Sequence, residues 1–310
     1  MCVCVLYVCV CTLCVCSVCV CTQCVLSVCI LCVYSVFTLC VCTVCVLCVC
    51  VYSVCVCVCV CVRVHTEYTA VRAQVCVAAV PSARLHPQDC AEIYRLGIKE
   101  NGIYTIQPDP RRPAECDMDT AGGGWTVFQR RRDGSVDFNR TWQEYREGFG
   151  SPQGEYWLGN AALHALTNTG QHLLRIQLED WHQQKRQATY NTFRVAAEAQ
   201  RYRLTAREYS GDAGNALSYS KRYNHDGRAF STNDRDHDRY TSGNCAEYYG
   251  AGWWFDACLA SNLNGLFYRG RYSGLTNGIY WGTWYILTDI HSGERYSFKS
   301  VEMKTRPRNF

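Results

Sequence analysis

The chain has 310 residues, with 31 Lys plus Arg against 27 Asp plus Glu and a formal net charge of +4. That balance lacks the overall basic excess expected of a nucleic-acid binder. Twenty-five cysteines would by themselves signal a dense disulfide scaffold, but 21 of them fall before residue 77, and Cys90, Cys116, Cys245 and Cys258 serve everything after.

Residues 1–62 hold no charged side chain and are mostly Val-Cys alternation, purest at Cys55-Val56-Cys57-Val58-Cys59-Val60-Cys61-Val62. Alternation of period two reads as a strand, yet here it continues without the turn chemistry a sheet needs. It also outruns the roughly 20 apolar residues that span a bilayer. A GT dinucleotide repeat translates as Val-Cys, so residues 1–80 are expected to be a translated low-complexity repeat and not a folded domain. The alternative is a type II membrane anchor. The charged start and single short apolar core of a secretory leader are missing. From Arg63 the composition becomes ordinary, and Pro81-Ser82-Ala83-Arg84-Leu85-His86-Pro87 reads as a linker.

Gly122-Gly123-Gly124 precedes a strand from Trp125 to Arg130, followed by a turn at Arg132-Asp133-Gly134. Thr141–Glu147 is a short helix candidate, and Asn160 is placed to cap a second through Leu166. Leu174, Ile176 and Leu178 alternate with Arg175, Gln177 and Glu179, a half-buried strand. Further strands are expected at Tyr190–Val195, Tyr202–Thr205 and Tyr296–Lys304. Between Ser210 and Ile290 periodicity gives way to Gly, Asn, Ser, Tyr and Trp. So long an irregular stretch in a compact domain is usually functional. The fold class is α+β with a mainly antiparallel central sheet and short helices.

Several blocks carry a resemblance. They are Cys116-Asp117-Met118-Asp119-Thr120 before the triple glycine, Glu155-Tyr156-Trp157-Leu158-Gly159, and Gly243-Asn244-Cys245-Ala246. Gly252-Trp253-Trp254-Phe255-Asp256-Ala257-Cys258, Asn262-Leu263-Asn264-Gly265 and Gly278-Ile279-Tyr280-Trp281 follow in order. Together these resemble the fibrinogen C-terminal domain family, most closely its fibrinogen-like members and more distantly ficolins, tenascins and angiopoietins. The resemblance implies a domain over 85–310. It would have an N-terminal subdomain at 85–125, a central sheet at 126–225 and 291–310, and a loop-rich calcium- and ligand-binding subdomain at 226–290. It also implies the disulfides Cys90–Cys116 and Cys245–Cys258, which sequence alone cannot choose among three pairings. Family members carry an apolar-x-apolar strand before Cys116, where this chain has Arg112-Pro113-Ala114-Glu115. A weakened N-terminal subdomain is expected there.

Asp234, Asp236 and Asp238 stand two residues apart, and carboxylate oxygens suit Ca²⁺. The bland reading is a solvated turn in which Arg235 and Arg239 pair with the aspartates. An EF-hand is excluded, because its glycine position falls on Arg239 or Thr241. The resemblance implies Ca²⁺ on Asp236 and Asp238 with carbonyls of Tyr240 and Ser242, Asp234 being a possible further ligand. It also implies a ligand pocket at Tyr248, Tyr249, Ala257, Cys258, Leu259 and Leu275, with a cis peptide at Ala257–Cys258. A histidine and a tyrosine of lectin-type members are Leu259 and Leu275 here, and leucine offers no hydrogen bond. Tyr248 and Tyr249 occupy the positions where clotting members present a carboxylate to a cationic peptide. Trp253, Trp254 and Phe255 are expected either in the core or on the binding surface.

Asn139-Arg140-Thr141 is an N-glycosylation sequon. No zinc spacing, nucleophile elbow or phosphate loop occurs in the globular part, so no enzyme is expected. The chain is expected to be extracellular and secreted, a calcium-dependent binder of glycans or protein receptors of innate-immune or immunoregulatory type. The rival is an extracellular-matrix adhesion protein. A homo-oligomer is compatible, though no stalk repeat is visible.

Overall fold

The computed structural model describes residues 87–108, 111–284 and 294–310, together with four short strands ahead of them. The chain divides into two units, Met1–Leu85 and His86–Phe310. In the first, β1 (Ser27–Leu31) pairs antiparallel with β2 (Thr38–Cys42), and β3 (Leu47–Val51) with β4 (Val54–Val58). The rest of the Val-Cys segment lies outside the described residues, and with it the readings as translated repeat or membrane anchor. Among the described residues no helix is long and apolar enough to cross a membrane.

The second unit opens with α1 (Cys90–Arg95), whose first turn is capped by Asp89 accepting from the Glu92 N–H at 2.8 Å. A hairpin of β5 (Gly102–Ile106) and β6 (Arg112–Asp117) follows. The expected weak point ahead of Cys116 is a full strand, paired from Gly102↔Cys116 to Ile106↔Arg112. Ala114 and Cys116 supply its buried face. Arg112 replaces an apolar anchor by donating to the carbonyls of Glu147, at 2.7 Å, and of Leu158. The Cys90–Cys116 disulfide joins α1 to β6 across a Cα–Cα distance of 5.4 Å. Closing a loop of that size contributes about 3 kcal/mol on the chain-entropy estimate.

The chain continues through β7 (Trp125–Arg131), α2 (Trp142–Glu147), β8 (Phe149–Gly150), β9 (Tyr156–Trp157), α3 (Asn160–Thr167), β10 (His172–Glu179), β11 (Lys185–Val195) and β12 (Leu204–Gly211). After a long irregular stretch come α4 (Cys245–Tyr249), β13 (Ser261–Asn262), β14 (Arg271–Ser273), β15 (Tyr280–Trp281) and β16 (Glu294–Tyr296), before β17 (Ser300–Pro307). The main sheet has the order β12-β11-β10-β17-β7-β6-β5, with β9 and β8 added beside β7. Every pairing in it is antiparallel. The last strand in sequence thus sits at the middle of the sheet.

The period-two alternation of β10 sorts its faces. Leu174, Ile176 and Leu178 are buried, while Arg175, Gln177 and Glu179 lie on the half-buried face. Phe128, Trp157, Phe193 and the α3 leucines Leu163 and Leu166 complete the core on that side. Each such side chain contributes about 1.5–3 kcal/mol by leaving water.

Asn160 does not cap α3. Gly159 holds the cap position at φ +113°, where a Cβ would meet the Glu147 carbonyl at 2.8 Å. The Asn160 side chain lies fully buried and accepts from the Trp157 indole N–H at 3.1 Å. A buried indole needs an acceptor, and that requirement outweighed the capping preference.

Candidate metal loop and ligand pocket

The loop after Phe230 is held at both ends. Ser231 and Trp253 exchange backbone hydrogen bonds, and Asn244 caps α4 by accepting from the N–H groups of Ala246 and Glu247. The Asn244 amide also donates to the Thr232 carbonyl at 3.1 Å. One side chain therefore joins the loop entrance to the helix beyond its exit.

Inside the loop the three aspartates part company. Asp234 Oδ1 accepts from the Trp142 N–H at 2.8 Å and from the Thr232 hydroxyl at 2.7 Å, so it serves the start of α2. Asp236 Oδ1 accepts from the Asp238 N–H at 3.0 Å. Asp238 Oδ1 accepts from the Tyr240 N–H and Oδ2 from the Cys245 N–H, both at 2.7 Å. Tyr240 and Ser242 follow on the same exposed turn. Burial, reinforced by the neighbouring Asp236 carboxylate, pushes the Asp238 carboxyl up to about 6.

A half-buried Asp238 carboxylate made costlier to charge by the exposed Asp236 beside it is a donor set that a hard cation relieves. The arginines of the loop turn elsewhere. Arg235 lies over the Trp142 ring at 5.3 Å, and Arg239 reaches toward Asp256 at 3.7 Å. Among the described residues no group of three or more His, Cys, Asp or Glu side chains converges. A cation here would lean on two carboxylates and on carbonyl oxygens. These residues fit Ca²⁺, whose chemistry here would be to neutralise the pair and fix the loop.

The Asp238–Cys245 hydrogen bond leads directly into the second disulfide. Cys245 and Cys258 are joined, with Cα atoms 5.7 Å apart. The Ala257–Cys258 peptide is cis. Tyr249 stacks on Phe255 with ring centroids 6.0 Å apart, while Tyr248 stands 48% exposed with Tyr240 beside it. Cys258 and Leu259 are half-buried against the core, and Leu275 is 56% exposed. Trp253, Trp254 and Phe255 are fully buried, so of the two expectations the core one holds. Gly252 explains part of the packing: a Cβ there would meet the Tyr145 ring at 2.5 Å.

Two features were missed from sequence. Tyrosines from distant positions gather around the pocket. Burial raises Tyr249, with Tyr223 and Tyr240 adding to the effect; burial raises Tyr280 too, with Tyr219 and Tyr249 adding. The only signal was the tyrosine-rich composition between Ser210 and Ile290. The second is His225, fully buried, whose Nδ1 donates to the Trp254 carbonyl at 2.7 Å. Its Nε2 accepts from the N–H groups of Ala260 and Ser261 at 3.0 and 3.1 Å. It clamps both ends of the segment that carries Cys258.

Asn139 is exposed beside the loop, and its amide oxygen accepts from Asn233 at 2.9 Å. Glycosylation uses the amide nitrogen, so this contact is compatible with a glycan.

Residues 86–308 match the family described as fibrinogen beta and gamma chains, C-terminal globular domain. Human fibroleukin is 48% identical over 234 residues, covering 74% of this chain and 53% of that protein. Human fibrinogen-like protein 1 is 47% identical over 236 residues, covering 72% of each. The chain thus spans about half the length of fibroleukin. The fibrinogen-like globe domain of human ANGPTL6 superposes with a TM-score of 0.65 at 42% identity, over 71% of this chain and 95% of that one. A lamprey fibrin D-dimer complexed with the peptide Gly-His-Arg-Pro-amide gives 0.66 at 38% identity, over 73% and 74%. Sequence blocks, sheet order and solved relatives agree: the chain belongs to the fibrinogen C-terminal globular domain family.

Proposed function

We propose that the chain is a secreted, calcium-dependent recognition protein whose partner is a protein receptor or glycan outside the cell, of innate-immune or immunoregulatory type. The observation that carries this reading is the Asp238–Cys245 hydrogen bond, which ties the carboxylate pair to the cystine beside the tyrosine pocket. Cation binding in the loop would then fix the backbone that frames the pocket. Two cystines imply an oxidising compartment, and the exposed sequon at Asn139 suits a secreted protein. The peptide named with the lamprey fibrin shows that a relative of this fold takes a peptide ligand. Tyr248 and Tyr249 stand where a cationic peptide would need a carboxylate, and Leu259 and Leu275 are apolar. The pocket therefore favours an apolar or aromatic protein surface over an acetylated sugar, since exposed tyrosine is a favoured interface anchor.

The test presents the full-length chain to immobilised receptor ectodomains and to an array of acetylated and plain glycans, in calcium and in EDTA. Binding that disappears in EDTA and in Tyr248→Ala is expected. Binding indifferent to both would reject the reading. In parallel, isothermal titration of calcium should show uptake by the wild type and its loss in Asp236→Ala and Asp238→Ala.

A further inference from the structure

On the central sheet a groove of about 520 Å³ crosses β11, β10, β17 and β7. Three strand spacings make it about 14 Å wide. Its cationic lining includes Arg132, Arg175, Lys185, Arg186 and Lys299, in a chain whose net charge is only +4. The carboxylates in the same groove are already engaged. Glu302 accepts from Arg130 at 2.9 Å and from Lys304 at 2.7 Å. Glu179 is shared by Lys299 at 2.6 Å and Lys185 at 3.6 Å. Asp212 accepts from the Gln187 N–H at 2.7 Å. Arg130, Arg131 and Arg132 pair in turn with Glu115, Glu155 and Asp133, so among the described residues Arg175 and Arg186 are the groove's cations outside any ion pair. Arg175 has its Nε buried with no hydrogen-bond partner, and burial pushes its pKa down against the pull of the nearby Asp117 and Asp212 carboxylates. Arg186 holds its guanidinium over the Trp284 ring at 4.4 Å.

We propose that this groove binds a sulfated polysaccharide segment, with Arg175, Lys185 and Arg186 on the sulfates and Gln177, Gln187 and Ser300 on the sugar hydroxyls. Guanidinium forks match tetrahedral oxyanions in geometry as well as charge. The concave array of arginine, lysine and glutamine side chains argues for a sulfated sugar over a peptide or a membrane. The exposed large apolar side chains of the described residues are Leu96, Ile98, Ile103, Tyr219, Tyr240, Tyr248 and Leu275, and the groove contains none of them. A docking helix or a bilayer would have no anchor there. The groove uses no residue of the calcium loop, so binding in it is independent of calcium.

The experiment measures binding of the full-length chain to heparin fragments, to the same fragments after desulfation, and to poly-glutamate of matched charge. The wild type is expected to bind heparin alone, equally in calcium and EDTA. Affinity should fall as salt rises from about 0.1 to 1 M and the screening length shrinks from about 10 to 3 Å. Lys185→Glu and Arg186→Glu are exposed changes that leave the core untouched, and each should weaken binding about tenfold or more. Arg222→Glu, exposed elsewhere on the domain, should bind as the wild type. The proposal is overturned if heparin does not bind, if desulfated fragments or poly-glutamate bind as well, if EDTA abolishes binding, or if Lys185→Glu and Arg186→Glu bind undiminished.

Discussion

Asp234 and Asp238 are four residues apart and look interchangeable on the page, yet their oxygens serve different partners. Asp234 bonds the Trp142 N–H at the start of α2, whereas Asp238 bonds Tyr240 and Cys245 within its own loop. Asp234→Ala should therefore behave as a lost helix cap. We expect a loss of about 1 kcal/mol in urea unfolding, with calcium uptake intact by titration calorimetry. Asp238→Ala should lose uptake and also free two backbone donors. If the two variants lost calcium equally, Asp234 would belong to the ligand set. The sequence placed all three carboxylates on one loop through their spacing. It could not say which one α2 would claim, because that contact joins residues 142 and 234 across the fold.

Helix α2 carries two functions on one residue. Thr141 completes the sequon of Asn139, and it also closes a reciprocal capping box with Glu144. Thr141→Ala should thus remove any glycan and cost about 1 kcal/mol or more of stability. Asn139→Gln should remove the glycan alone, and Thr141→Ser should keep both. Glycosidase mass shifts and urea midpoints on the secreted protein separate these outcomes; unglycosylated wild type would reject the modification while leaving the capping result standing. At this scale the sequence was informative for α2 and β10, where local periodicity decides the element. It failed at Asn160, where the Trp157 indole set the terms, and at the Arg112 strand, where two distant carbonyls replaced an apolar contact. Both failures come from partners that local pattern does not contain.

Across the whole molecule the central position of β17 shows why topology was harder to read than strand identity. Ser300–Pro307 is recognisable as a strand, but its insertion between β10 and β7 is a property of pairing over more than a hundred residues. The same closure buries His172, which lies opposite Pro307 and beside Thr305. Burial pushes both His172 and His225 down to about 4, against about 6.5 in an unfolded chain. His225 meets Asp256 and Arg228 as opposing charges, with burial the larger effect. Between about pH 6.5 and 4 the unfolded state binds more protons than the native one, so stability rises with pH across that window. The stabilisation is complete above about 6.5 and is lost as pH falls toward 4. The raised carboxyls of Asp89 and Asp238 act in the opposite sense, so the wild-type slope alone would not isolate the histidines. His172→Gln does isolate one, because the change removes a single titration remote from the metal loop. Each pKa unit is worth about 1.4 kcal/mol, and the variant should therefore lose about 3 kcal/mol less than the wild type between pH 7 and 4 in urea titrations. Parallel curves for the two proteins would mean that His172 is not held neutral by the sheet.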